Sequence, residues 1–188
     1  MIGALPTSLT VGGQDFKIRT DYRVALTIFE AYADPDLSES EKTLTCLGCL
    51  YYEIPPDVSE AIKSAAWFLD GGSSVKLKRL PVKTIDWEQD EALIFPEINR
   101  VAGCEVRLLP YCHWWTFLGY FGTMGDGLYA QILNIRQKCA KGKKLEKWEH
   151  EFLKTHKEMI VINEKLTAEE QAELDREQAW LEALVGKF

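Results

Sequence analysis

Cys46 and Cys49 form a C-x-x-C pair, and thiols at that spacing serve disulfide exchange or zinc binding. The context suits neither. Disulfide exchange wants its first thiol at a helix start, where the dipole lowers the pKa, yet both residues lie within a segment patterned as helix. Zinc needs a further ligand pair, and Cys104, Cys112 and His113 do not supply one. The cysteines read as buried structural thiols, with a small thiol oxidoreductase as the enzymatic alternative. The three histidines, His113, His150 and His156, are scattered, and His113 reads as a local hydrogen-bonding residue that orients its helix. No H-E-x-x-H, G-x-S-x-G or G-K-[ST] motif occurs. These observations imply no catalytic residues, no metal and no cofactor.

Charged residues cluster in two places. Asp86, Glu88, Asp90, Glu91 and Glu97 load the start of one segment, and Asp86 and Asp90 share a helix face expected to be solvated. Arg136, Lys138, Lys141, Lys143, Lys144 and Lys147 form a basic patch next to an acidic C-terminal helix. Opposite charges on one acidic molecule suit protein contacts and self-association.

The densest feature is HWWTFLGYFG, starting at His113. On a helix, His113, Trp114, Phe117, Leu118 and Phe121 fall on one side, and Cys112, Trp115, Gly119 and Gly122 on the other. Burying each large ring contributes about 1.5–3 kcal/mol, so the segment is either the central core helix or the scaffold of a partner groove. The two glycines disfavour helix by about 1 kcal/mol each, which suggests close approach by another helix.

The surrounding elements follow from pattern. LTVGGQDFKI reads as a β-hairpin within about residues 8–19, and a four-residue loop over 12–15 would set Val11 opposite Phe16 and Leu9 opposite Ile18. Helices follow. Tyr22, Leu26, Phe29 and Ala33 mark one face of the first, which Asp34-Pro35 stops. Ser38 and Glu41 form a capping box that opens the second, and Pro56 or Asp57 starts a third that Gly71-Gly72 ends. A crossover, with a short extended piece at 75–80, leads to a helix from Asp86 that Gly103 closes. The aromatic helix spans about 111–123. Beyond Gly125-Asp126-Gly127 come LYAQILNIRQKCA, a helix through Leu145, Trp148, Phe152 and Met159, and a last helix capped by Thr167 and Glu170. Its apolar stripe is Leu174, Leu181, Leu184 and Val185. The fold class is mainly α, with a core domain over 1–140 and a basic linker with C-terminal helices over 141–188.

At 188 residues and 46% hydrophobic, the chain can bury a core without disulfides or metals. A net charge of −7 argues against nucleic acid as a partner. The uncharged run from Leu108 to Gly125 is short of the roughly 20 residues of a spanning helix and contains Pro110 and three glycines. No membrane partner is expected. The first residues lack a basic and apolar export signal, which points to the cytoplasm.

Several segments together resemble the Gp-fifteen-type tail assembly chaperones of long-tailed bacteriophages. They are the opening LPTSLTVGGQDFKIRTDYR, KTIDWEQDEALI with VAGCEV, HWWTFLGYF followed by ILNIRQ, and KGKKLEKWEHEFLKTHKEMI. HWW ahead of an aromatic helix and I-R is the specific part, while Cys46, Cys49 and Pro96 depart from the pattern. The resemblance implies a helical assembly factor that keeps the tape measure protein soluble while tail tube subunits polymerise around it. The tail tube protein is then a further candidate partner. Such a factor works in the host cytoplasm and is absent from the mature virion. The alternative is a structural subunit of a phage tail or capsid.

Overall fold

Gly12 and Gly13 build the first turn, and their φ values of 58° and 77° are those of a two-residue type I′ hairpin, a conformation side chains resist. Strand β1 (Ser8–Val11) therefore pairs with β2 (Gln14–Lys17) in the register Leu9 with Phe16 and Val11 with Gln14. The four-residue loop expected from apolar pairing is not formed. Val11 finds its apolar contacts away from β2, because β1 lies on helix α3 (Val58–Leu69), where Glu60 accepts from Gly12 N–H and Ser64 donates to the Thr10 carbonyl.

A computed structural model of the chain describes residues 3–73, 83–163 and 165–185, with side chains of the last stretch described through Arg176 and at Ala179. The extended piece expected at 75–80 lies outside the described residues, as do the side chains of Leu181, Leu184 and Val185. The remaining helices are α1 (Tyr22–Ala33), α2 (Glu39–Leu50), α4 (Glu91–Ala102), α5 (Trp114–Gly122), α6 (Leu128–Ala140), α7 (Lys147–Thr155), α8 (Lys157–Ile160) and α9 (Ala168–Val185). The protein is mostly helical with an N-terminal antiparallel hairpin. No helix among the described residues is long and apolar enough to cross a membrane.

Local chemistry sets most boundaries. Ser38 and Glu41 exchange hydrogen bonds as a capping box on α2, Asp57 caps α3, and Thr167 with Glu170 opens α9. Arg19 reaches the carbonyls of Gly48, Cys49 and Tyr51, satisfying the C-terminal end of α2. Asp21 caps α1 and also accepts from the Cys112 N–H, so the starts of α1 and α5 are stapled together. Residues 86–90 form a turn and α4 begins only at Glu91, because the Asp86 carboxylate accepts from the Glu88 and Gln89 N–H groups. The helix expected to run through Met159 breaks at His156, which lets the carbonyls of Met159 and Ile160 turn toward α6.

Among the described residues two apolar clusters result. The larger joins the hairpin to α1–α6 around Tyr22, Phe68, Trp114, Phe117 and Tyr129. The smaller, with Ile132, Ile135, Leu145 and Ile160, seats α7 and α8 against α6. On α1 the buried residues are Tyr22, Ala25 and Ile28, with Leu26 and Phe29 half-buried beside them, so the face is rotated from the expected stripe. Ala25 is small enough to be missed in an apolar count.

Candidate functional site

His113 sets the aromatic helix. Its Nδ1 accepts from Trp115 N–H and its Nε2–H donates to the Pro6 carbonyl, so the ring is an N-cap that ties α5 to the N-terminal segment. The helix starts at Trp114 rather than near Tyr111, because Asp21 and His113 form a β-bridge just before it. Trp114 is buried and donates from Nε1 to the Leu69 carbonyl. Phe117 stacks on Tyr22 at 4.4 Å, and half-buried Phe121 meets Trp87 at 5.1 Å. Four of the sequence-selected residues are thus core or its immediate cover.

Trp115 and the glycines behave differently. Trp115 is only half-buried, donates to the Phe68 carbonyl and meets the edge of Trp67 at 5.3 Å. With Ala4, Leu5, Pro6 and Trp67 it lines a shallow surface groove. Gly119 and Gly122 are exposed and an added Cβ would meet nothing within 4 Å, so no helix among the described residues presses against them. Gly72 is the glycine that contact requires: φ is 82° and a Cβ would sit 2.8 Å from the Trp115 ring. Gly72→Ala is therefore expected to destabilise by about 1–3 kcal/mol, and Gly119→Ala to stabilise by up to about 1 kcal/mol. Urea unfolding of the two variants measures the opposite signs.

Cys46 lies eight residues into α2 and is buried, and burial pushes its thiol pKa up. That is the reverse of what a nucleophilic thiol needs. The other free cysteines, Cys49, Cys104, Cys112 and Cys139, share no disulfide.

The largest departure from sequence expectation is a buried polar cluster. Asp90, read as a solvated acid, is 1% exposed, and Arg136, read as part of a surface patch, is 5% exposed. The Arg136 guanidinium meets both Asp90 oxygens, at 2.6 and 2.8 Å, and the carbonyls of Thr84, Met159 and Ile160. All five of its N–H donors are used. Tyr129 O–H and Asp86 N–H also bond to Asp90, and burial beside that carboxylate raises the Tyr129 pKa. Asp86 is buried too; desolvation raises its pKa, but the Gln89 N–H and the Lys83 ammonium outweigh it and the net shift is down. The cluster ties α4, α6 and the end of α8 together. A signal for it existed: Asp90 aligns with Ile94 and Ile98, and Arg136 with Tyr129 and Ile132, each on an apolar helical face.

The rest of the basic patch divides. Lys138 pairs with Glu149 at 2.6 Å, and this ammonium with the Glu146 N–H holds the Glu149 carboxyl below its ordinary range. Lys141, Lys143, Lys144 and Lys147 are exposed and form no ion pair among the described residues. Beside them stands exposed Trp148.

Opposite in character is a groove beside α1. A cleft of about 250 Å³ is lined by Phe29, Tyr32, Ile85 and Trp87, with Glu30 and Glu88 at its rim. It continues into a wider groove of about 980 Å³ past Thr27, Asp34, Leu37 and Leu166. Lys165 lies in it with its Nζ 2.6 Å from Glu88, and that hydrogen bond, aided by Asp86 and Glu30, raises the lysine pKa.

No group of acids, cysteines and histidines among the described residues is arranged to hold a metal ion. No curated protein and no solved structure matches the chain. A family model described as Bacteriophage Gp15 protein matches residues 1–162, which runs from the hairpin to just past α8 and stops before α9. The match contains both apolar clusters and the Asp90–Arg136 pair, and by it the chain belongs to the bacteriophage Gp15 protein family.

Proposed function

We propose that this protein is a tail assembly chaperone, which binds the phage tape measure protein and keeps it soluble while the tail tube polymerises. The observation that carries the reading is membership of the bacteriophage Gp15 family over most of the chain. The surface chemistry is compatible with it. Trp67, Leu5 and Trp115 line one shallow apolar groove, and Phe29, Tyr32 and Trp87 line a second, both on a firmly packed scaffold. An extended client held by many copies needs such modest, separate contacts, each displaceable by tube subunits. On this reading the protein acts in the host cytoplasm by binding alone, without catalysis or cofactor, and is absent from finished particles. The tail tube protein is the second proposed partner.

Co-expression with the tape measure protein is the direct test. The client should appear in the soluble fraction and co-elute with the chaperone; an insoluble client with no complex overturns the proposal. The competing reading, a structural subunit of tail or capsid, starts from the same family membership and predicts the chain in purified virions.

A further inference from the structure

Two features of the surface complement each other and are not joined within one molecule. The groove beside α1 has an apolar floor of Phe29, Ile85 and Trp87 and an acidic rim of Glu30, Asp34 and Glu88. Lys83 neutralises Asp86 and Lys165 neutralises Glu88, while Glu30 and Asp34 have no cation within ion-pair distance among the described residues. The segment between α6 and α7 has the opposite surface. Among the described residues Lys141, Lys143, Lys144 and Lys147 have no acidic ion-pair partner, and Trp148 stands exposed at the end of the run, its Nε1–H donating to Glu146.

We propose that the groove beside α1 is the docking site for the 141–148 segment of a second copy of this chain. Charge complementarity selects the occupant, and the groove already accepts a lysine, since Lys165 of the same chain lines it with its Nζ 2.6 Å from Glu88. An exposed tryptophan that follows a run of four lysines, broken by Glu146, suits a cleft with an aromatic floor and a carboxylate rim: the ring supplies the buried anchor, and the lysines set the register. The acidic start of α9 is the poorer receptor. Glu169, Glu170, Glu173 and Asp175 are exposed, and fully solvated pairs contribute little.

The two surfaces are different, so the contact is head-to-tail and each copy has one groove and one segment. Such contacts propagate into open chains unless the rotation closes. The inference stands on these surfaces and does not need the client to be identified.

Sedimentation velocity of the full chain at low and high ionic strength tests it. The wild type should associate as concentration rises, and association should weaken in salt as exposed charges are screened. Glu30→Lys with Glu88→Lys, and separately Lys143→Glu with Lys144→Glu, should each weaken self-association about tenfold or more. Circular dichroism checks that the helices of both variants persist. Mixing the two variants puts a basic segment opposite an acidic groove and the reversed pair opposite each other, so the mixture should associate again. A wild type that stays monomeric at low ionic strength, or reversed variants that associate as the wild type does, overturns the proposal and leaves the groove to a basic segment of another protein. Soluble client with a monomeric chaperone would sink this inference while sparing the chaperone reading.

Discussion

Trp114→Ala is expected to destabilise the protein by about 3–5 kcal/mol, enough to leave a marginal domain largely unfolded at physiological temperature. Trp114 packs among Phe29, Trp87 and Phe117, and its Nε1–H bonds to the Leu69 carbonyl at the end of α3. Truncation therefore opens a cavity where α1, α3 and α5 meet and removes a hydrogen bond from it. Trp115→Ala should cost less, about 1–2 kcal/mol, because one side of that ring already faces the surface groove with Trp67. Denaturant unfolding separates the two, and a Trp114→Ala variant that melts like the wild type would refute its central place in the core.

Asp90→Ala is the second large effect, also about 3–5 kcal/mol. Arg136 cannot shed its proton, so removing its carboxylate leaves a full charge buried with carbonyl partners alone. The loss should appear first where the pair holds α8. Protease cleavage near 157–163 should then precede cleavage in α1–α5, as local opening exposes the weakest-held element. Replacing the pair together, Asp90→Leu with Arg136→Met, should recover part of the loss, because no charge is left buried, while Tyr129 O–H, the Asp86 N–H and the carbonyls of Thr84, Met159 and Ile160 lose their partners. Tyr129→Phe should cost about 1 kcal/mol, the value of one hydrogen bond. If Asp90→Ala were as stable as the wild type, the pair would not be holding the C-terminal helices.

Features formed within one turn of chain were legible. The Ser38–Glu41 box, the Asp57 cap, the stops at Asp34-Pro35 and Gly71-Gly72 and the local role of His113 follow from hydrogen bonds between residues two to four apart. The hairpin was legible as a hairpin, and its register was not. Cross-strand pairing alone favoured Val11 opposite Phe16, but Val11 is buried through the packing of β1 on α3, whose hydrogen bonds to the hairpin span 48 and 54 residues of sequence. A turn of two glycines then set the register by its twist.

The candidate site divides in the same way. The aromatic helix announced itself by composition, because so many rings must be covered wherever they lie. Charge is different, since a carboxylate or guanidinium is read as solvated until a partner is placed beside it. Asp90 and Arg136 are 46 residues apart, and only the packing of α4 on α6 brings them within 2.6 Å. Sequence alone therefore determined which segments are helical, the caps and stops set within one turn, and that the aromatic helix must be covered, since these depend on neighbouring residues and total apolar area. The tertiary structure decided which charges are buried, which lysines remain free and which face of α1 is left as a groove, because each depends on what a distant element covers.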